Sequence, residues 1–201
     1  MSHVVALSRS RPLVLADLIP GALARDIALV AGGAAAVGAL AQLAVHVPGT
    51  PVPITGQTLG VLLIGTAYGA RRAAATLALY AVAGLAGVPW FAGHHSGYAS
   101  ASFGYVIGFF AAATLCGYLA ERGADRSVLR SIPAMLAGEI AIYGIGLVWL
   151  AVAAHLTPSQ TIAEGLTPFL LGDAVKAALA AGLLPAAWAL TGRRATAEPA
   201  R

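Results

Sequence analysis

The chain has 201 residues, of which 59% are apolar and only 10% charged, with a formal net charge of +4 and a mean hydropathy of +0.81. Soluble domains carry about a quarter of their residues as charges, so this composition excludes a water-exposed globule and places the chain in a bilayer. The apolar runs do not alternate with polar residues, which excludes a β-barrel and leaves helices as the spanning element.

Six spans are predicted in chain order, near residues 22–45, 55–69, 73–87, 102–120, 133–155 and 165–190, where apolar stretches approach the ~20 residues that cross a hydrocarbon core. Before the first, Ala22-Leu23-Ala24 resembles a secretory cleavage site, but Asp17 and Pro20 interrupt the apolar region such a signal needs. Pro12 to Ile19 reads instead as an amphipathic lead-in along the membrane surface. Within span one, Ala31, Ala35 and Ala39 recur every four residues. That spacing lets another helix approach closely in lipid, either inside the bundle or from a partner.

The stretch "VPGTPVPITGQT" that follows, Val47 to Thr58, is too rich in proline and glycine for helix and predicts an extended wall or lid ending at Gln57, whose amide both donates and accepts. Spans two and three read as a tight hairpin joined by Arg71-Arg72 after the helix stop Gly69. The next loop, Gly87 to Tyr105, concentrates Trp90, Phe91, Tyr98, Phe103 and Tyr105 among small residues, and predicts either an interfacial aromatic belt or the walls of a pocket. His94-His95, with His46 and His155, lie on the same side; adjacent histidines on an extended segment point apart, so no metal site is predicted. Cys116, the single cysteine, excludes an internal disulfide and reads as a packing residue. Glu139 in span five is expected to be neutralised by a nearby arginine or a backbone donor.

Charge fixes the orientation. All eleven arginines fall on one side: Arg9, Arg11 and Arg25 before span one, Arg71 and Arg72, then Arg122, Arg126 and Arg130, and finally Arg193, Arg194 and Arg201. The loops between, 46–54, 88–101 and 156–164, hold neither Lys nor Arg, so the positive-inside rule makes both termini cytoplasmic. This segregation also accounts for the net charge without nucleic acid. The expectation is an all-α membrane protein: one domain, residues 1–201, with six transmembrane helices in one bundle.

One cation remains, Lys176, inside span six with Asp173 three residues before it on the same helix face. Ionisable groups at that depth are costly and normally face a cavity or pathway. A self-neutralising ion pair is the alternative, but apolar packing often serves stability equally well, so a ligand site is favoured. There is no phosphate-cradling glycine loop, no nucleophile elbow and no HExxH, and so no sign of ATP hydrolysis or other enzymatic chemistry in this chain.

"PVPITGQTLGVLLIGTAYG", "LYAVAGLAGVPWFAG", "FGYVIGFFAAATLCGYLAERG" and "PFLLGDAVKAALAA" together resemble the BioY family, the biotin-binding S components of energy-coupling factor (ECF) vitamin transporters. The resemblance runs in order over most of the chain. It implies a six-helix bundle with a ligand pocket near the outer surface, multi-pass in the bacterial cell membrane. It also implies capture of biotin with a T component and two ATP-binding cassette ATPases as partners, which use the ATP, so that no cofactor belongs to this chain. Ala31, Ala35 and Ala39 then look like the docking face for the T component; a homo-oligomer is compatible with the sequence as well.

In that reading Asp173 accepts from the ureido N–H groups, Lys176 donates to the ureido oxygen or meets the carboxylate, Gln57 and Tyr98 or Tyr105 add hydrogen bonds, and Trp90 and Phe91 cover the apolar ring. The chain departs from the family where a glycine-proline-threonine stretch is usual: it has Ser100-Ala101-Ser102-Phe103-Gly104-Tyr105, and without the proline this loop is expected to loosen. The competing function is a self-sufficient secondary transporter in which Asp173, Lys176 and Glu139 relay protons; the absence of a detectable repeat counts against it.

Overall fold

The computed structural model describes residues 14–21 and 23–196, with side chains to residue 191. Arg9, Arg11 and Arg201, the start of the lead-in, Ala22 and the side chains of Arg193 and Arg194 lie outside the described residues. Seven α-helices follow in order among them: α1 (Leu23–Gln42), α2 (Gln57–Tyr68), α3 (Ala70–Leu85), α4 (Phe103–Ala120), α5 (Val128–Ala153), α6 (Pro158–Gly165) and α7 (Leu170–Thr196). Four of them, α1, α4, α5 and α7, are long and apolar enough to cross a membrane. α2 is apolar but has only 12 residues.

Several predicted boundaries shift, for local reasons. Span one ends at Gln42, and Ala44–Val45 instead forms a strand, β1, paired antiparallel with β2 (Ile54–Thr55). The proline-rich stretch is therefore the loop of a small hairpin, closed by Gly56 N–H donating to the Leu43 carbonyl at 3.2 Å. Arg71 and Arg72 are not a linker but lie in the first turn of α3, because Gly69 alone, at φ 79°, makes the turn from α2. α5 starts at Val128, five residues before Pro133, which is accommodated inside the helix. The stretch 156–164, expected to be loop, is largely α6: Thr157 caps it, its hydroxyl accepting from Gln160 N–H, and Pro158 stands where a missing N–H costs nothing. α6 separates the predicted span six from its start, so α7 begins at Leu170.

The most enclosed helix is α4, which packs on α2, α3 and α5. It does so backbone to backbone. A Cβ at Gly65 would stand 2.8 Å from Ala113 Cα, one at Gly108 2.8 Å from the Ile142 carbonyl oxygen, and one at Gly117 2.5 Å from Ala70 N. Helices that are apolar all round gain nothing hydrophobic by meeting in lipid, so this close van der Waals contact is what holds them.

The arginine-bearing end is tied by polar contacts. Arg72 bridges Asp17 at 2.7 Å and Asp26 at 2.9 Å, fastening the turn at Leu15–Leu18 and α1 to α3. Glu121 accepts from Ala70 N–H at 2.9 Å, satisfying an open donor at the start of α3. In the α4–α5 connection the buried Asp125 accepts from Trp188 Nε1–H at 2.5 Å, and the Arg126 guanidinium stacks 3.6 Å over the same indole.

Candidate ligand-binding site

At the end opposite the arginines, the β-hairpin, the loop from Gly87 to Ser102 and the tops of α2, α4, α5 and α7 surround a cavity of about 680 Å³ counted with its open mouth. Its floor is polar. Asp173, in the first turn of α7, is 6% exposed and meets Lys176 Nζ at 2.9 Å. Thr58 on α2 donates to Asp173 Oδ1 at 3.1 Å and accepts from Lys176 at 2.9 Å, while Tyr143 on α5 donates to Asp173 Oδ2. The i, i+3 spacing seen in the sequence thus becomes a four-residue network drawn from three helices, with both charged side chains lining open space.

The walls are apolar. Phe103, Val106 and Phe109 of α4, Ile142 of α5 and Phe169 before α7 line them together with Phe91. Phe91 is held by a chain of contacts reaching back to α1. Its ring lies so closely on α3 that a Cβ at Gly84 would be 2.1 Å from it. Gln42 Nε2 donates to the carbonyls of Trp90 and Phe91 at 3.1 and 3.2 Å, and Gln42 Oε1 accepts from His94 N–H. Trp90 does not line the cavity; it packs behind the wall on Gly38 and Tyr80, its indole N–H donating to the Tyr80 carbonyl at 3.0 Å.

The other predicted residues divide. Gln57 is buried at the cavity edge, its amide donating to Tyr80 Oη at 2.8 Å. Tyr105 lines the cavity, but its hydroxyl already donates to the Gly165 carbonyl at 2.8 Å, so it holds α6 against α4. Tyr98 is 67% exposed and lies outside the cavity lining. Around the mouth are Thr55, His95, Ser100 and Ser102. The serine stretch is tied rather than loose: the two hydroxyls lie 2.7 Å apart, Ser102 N–H donates to Ser100 Oγ, and Trp149 Nε1–H donates to the Ser100 carbonyl at 3.1 Å. Among the described residues no three of His, Cys, Asp or Glu converge as metal ligands.

Glu139 corrects an expectation. It is 8% exposed and both carboxyl oxygens are buried without a hydrogen-bond partner, neither arginine nor backbone. Ala31, Ala35 and Ala39 lie on the exposed face of α1, while Gly33, Ala34, Val37 and Gly38 turn inward. Thr58, Tyr143, Phe169 and Gln42 were not singled out from sequence. Thr58 closes the quoted ITGQT stretch, and Tyr143 is one turn beyond Glu139 on one helix face, which was the available signal.

A bundle of apolar helices around an open-mouthed cavity, with a charged floor beneath aromatic walls, defines a membrane solute-binding protein. A sequence profile of the BioY family matches residues 9–193, and the chain belongs to that family. It is 34% identical over 168 residues to a biotin transporter BioY of Rhizobium etli, covering 78% of this chain and 89% of the relative. It is 35% identical over 157 residues to biotin transporter BioY2 of Lactococcus lactis, covering 77% and 85%. The fold matches a crystal structure of the S-component for biotin from an ECF-type ABC transporter, with a TM-score of 0.73 at 22% identity over 81% of this chain and 89% of that one.

Proposed function

We propose that this protein captures biotin at the outer face of the cell membrane and delivers it inward as the substrate-binding S component of an ECF transporter. The observation that carries the reading is the Asp173–Lys176 pair lining an aromatic-walled cavity in a BioY chain. Biotin has a ureido head with two donors and one acceptor, an apolar thioether ring and a carboxylate tail. A ligand of that shape fits the cavity with its head on the floor, where Asp173 accepts and Lys176 donates, and its ring between Phe91, Phe103, Phe109 and Phe169. Its tail then runs to the mouth, where Thr55, His95, Ser100 and Ser102 offer polar groups.

Six helices cross the membrane in this reading, α1 to α5 and α7, with α6 lying across the outer end and both termini in the cytoplasm. The arginines at one end and the cavity at the other support that orientation. α2 and α3 are short for a full crossing, and their tight turn at Gly69 fits a pair meeting below the inner surface. A T component and two ATPases supply the motion and use the ATP; this chain needs no cofactor of its own. The exposed Ala31, Ala35 and Ala39 face of α1 is the proposed contact for the T component.

The test is mass spectrometry of small molecules retained by the protein purified from biotin-supplied cells. A ligand of biotin's mass is expected, and its absence together with no calorimetric binding of added biotin refutes the assignment. Uptake by the purified chain in liposomes under a proton gradient alone would instead establish a secondary transporter.

A further inference from the structure

Glu139 is a buried carboxyl group near the floor that the binding reading leaves unused. We propose that Glu139 is a positioning residue, a second seat that receives the Lys176 ammonium when ligand donors engage Asp173. The inference rests on biotin binding at the Asp173–Lys176 floor.

Three observations carry it. The first is burial without a partner: Glu139 is 8% exposed and neither oxygen has a hydrogen bond, which is costly for a carboxyl enclosed by helices. The second is level. Tyr143 donates to Asp173, and Glu139 stands one turn below Tyr143 on the same face of α5. α7 runs antiparallel to α5, so Lys176 stands about one turn below Asp173 in the same direction; steps of roughly 6 Å on α5 and 4.5 Å on α7 bring Glu139 and Lys176 to one height. Asp173 and Lys176 are the charges that act on Glu139.

The third is donor count. An ammonium has three N–H donors, and Lys176 uses two, on Thr58 Oγ1 and Asp173 Oδ1. A first ligand N–H takes the open site on Asp173 Oδ2; the second N–H of the ureido head competes with the ammonium for Oδ1. Lys176 then has a buried carboxyl group without a partner at its own height; donating to it removes that defect and frees Asp173 Oδ1, while another ammonium N–H stays on the ligand's ureido oxygen. The exchange also moves one bond from the α2–α7 seam, where Thr58 still donates to Asp173, to the α5–α7 seam that Tyr143 already bridges.

Lys176 is the only lysine in the chain, so ¹⁵N-lysine labelling gives a single Nζ resonance. Biotin is expected to shift that resonance in the wild-type protein, and Glu139→Gln to abolish the shift and weaken biotin binding by about 10- to 100-fold, the cost of one charge-assisted bond. The thermal midpoint of the ligand-free variant should not fall, because the bond is absent in that state. Glu139→Asp should retain a reduced shift, and Glu139→Gln should cost nothing further in a Lys176→Met background. Biotin binding with Nζ unmoved, or an unchanged shift in Glu139→Gln, overturns this inference alone; a wild-type chain that binds no biotin overturns the function with it.

Discussion

Replacing Asp173 with asparagine tests the site most directly, and its effect follows from lone-pair arithmetic. An ionised carboxylate has about four acceptor sites. Thr58 and Lys176 occupy Oδ1 and Tyr143 occupies Oδ2, leaving one site for a ligand N–H without rearrangement. That contact is charge-assisted and worth about 1.5–3 kcal/mol, roughly 10- to 150-fold in affinity. Asparagine also presents an NH₂ group where three donors converge, so at least one of Thr58, Lys176 and Tyr143 loses its acceptor, at a further cost of about 1–3 kcal/mol. Asp173→Asn should therefore weaken biotin binding by about a hundredfold or more. Calorimetry on the detergent-purified chain measures it, with a thermal melt to verify folding. A folded variant whose dissociation constant stays within threefold of wild type refutes the assignment of the floor.

Gly84→Ala places a methyl group 2.1 Å from the Phe91 ring and drives that ring into the cavity; biotin titration should show at least about a tenfold loss while circular dichroism stays helical. His95→Ala should weaken biotin by no more than about fivefold, as befits an exposed contact, and leave the neutral amide of biotin unaffected; equal losses for both would remove His95 from the tail site. Gly108→Ala sets a Cβ against the α5 backbone at Ile142 and should lower the thermal midpoint, since neither helix can yield locally. Asp125 gives a pH dependence outside the spans. Burial pushes its carboxyl above the usual range, with the Trp188 bond and the Arg126 charge opposing. The folded state then holds a proton that the unfolded chain has released, so the contribution of Asp125 to stability is full in acid and declines as pH rises from about 4 through the raised value. Asp125→Asn should flatten that slope in melts across the same window.

Much of this protein was legible without coordinates. Apolar runs located the four described helices that are long and apolar enough to cross a membrane, because only an internally bonded backbone survives in lipid. Asp173 and Lys176 stood out because charge in such a run has to be explained. α6 was missed although Thr157, Pro158 and Gln160 spelled out its start, since a short stretch mixing polar and apolar residues between spans read as loop. The tertiary structure decided the rest: that Thr58 and Tyr143 complete the floor, that Trp90 supports the wall Phe91 forms, that Tyr98 stays outside, and that Glu139 has no partner. The reason is rotational. A soluble helix announces its buried face by an apolar stripe, but a helix apolar on all sides carries no such mark, and only backbone contacts such as those at Gly65, Gly108 and Gly117 fix which side chains turn toward the cavity.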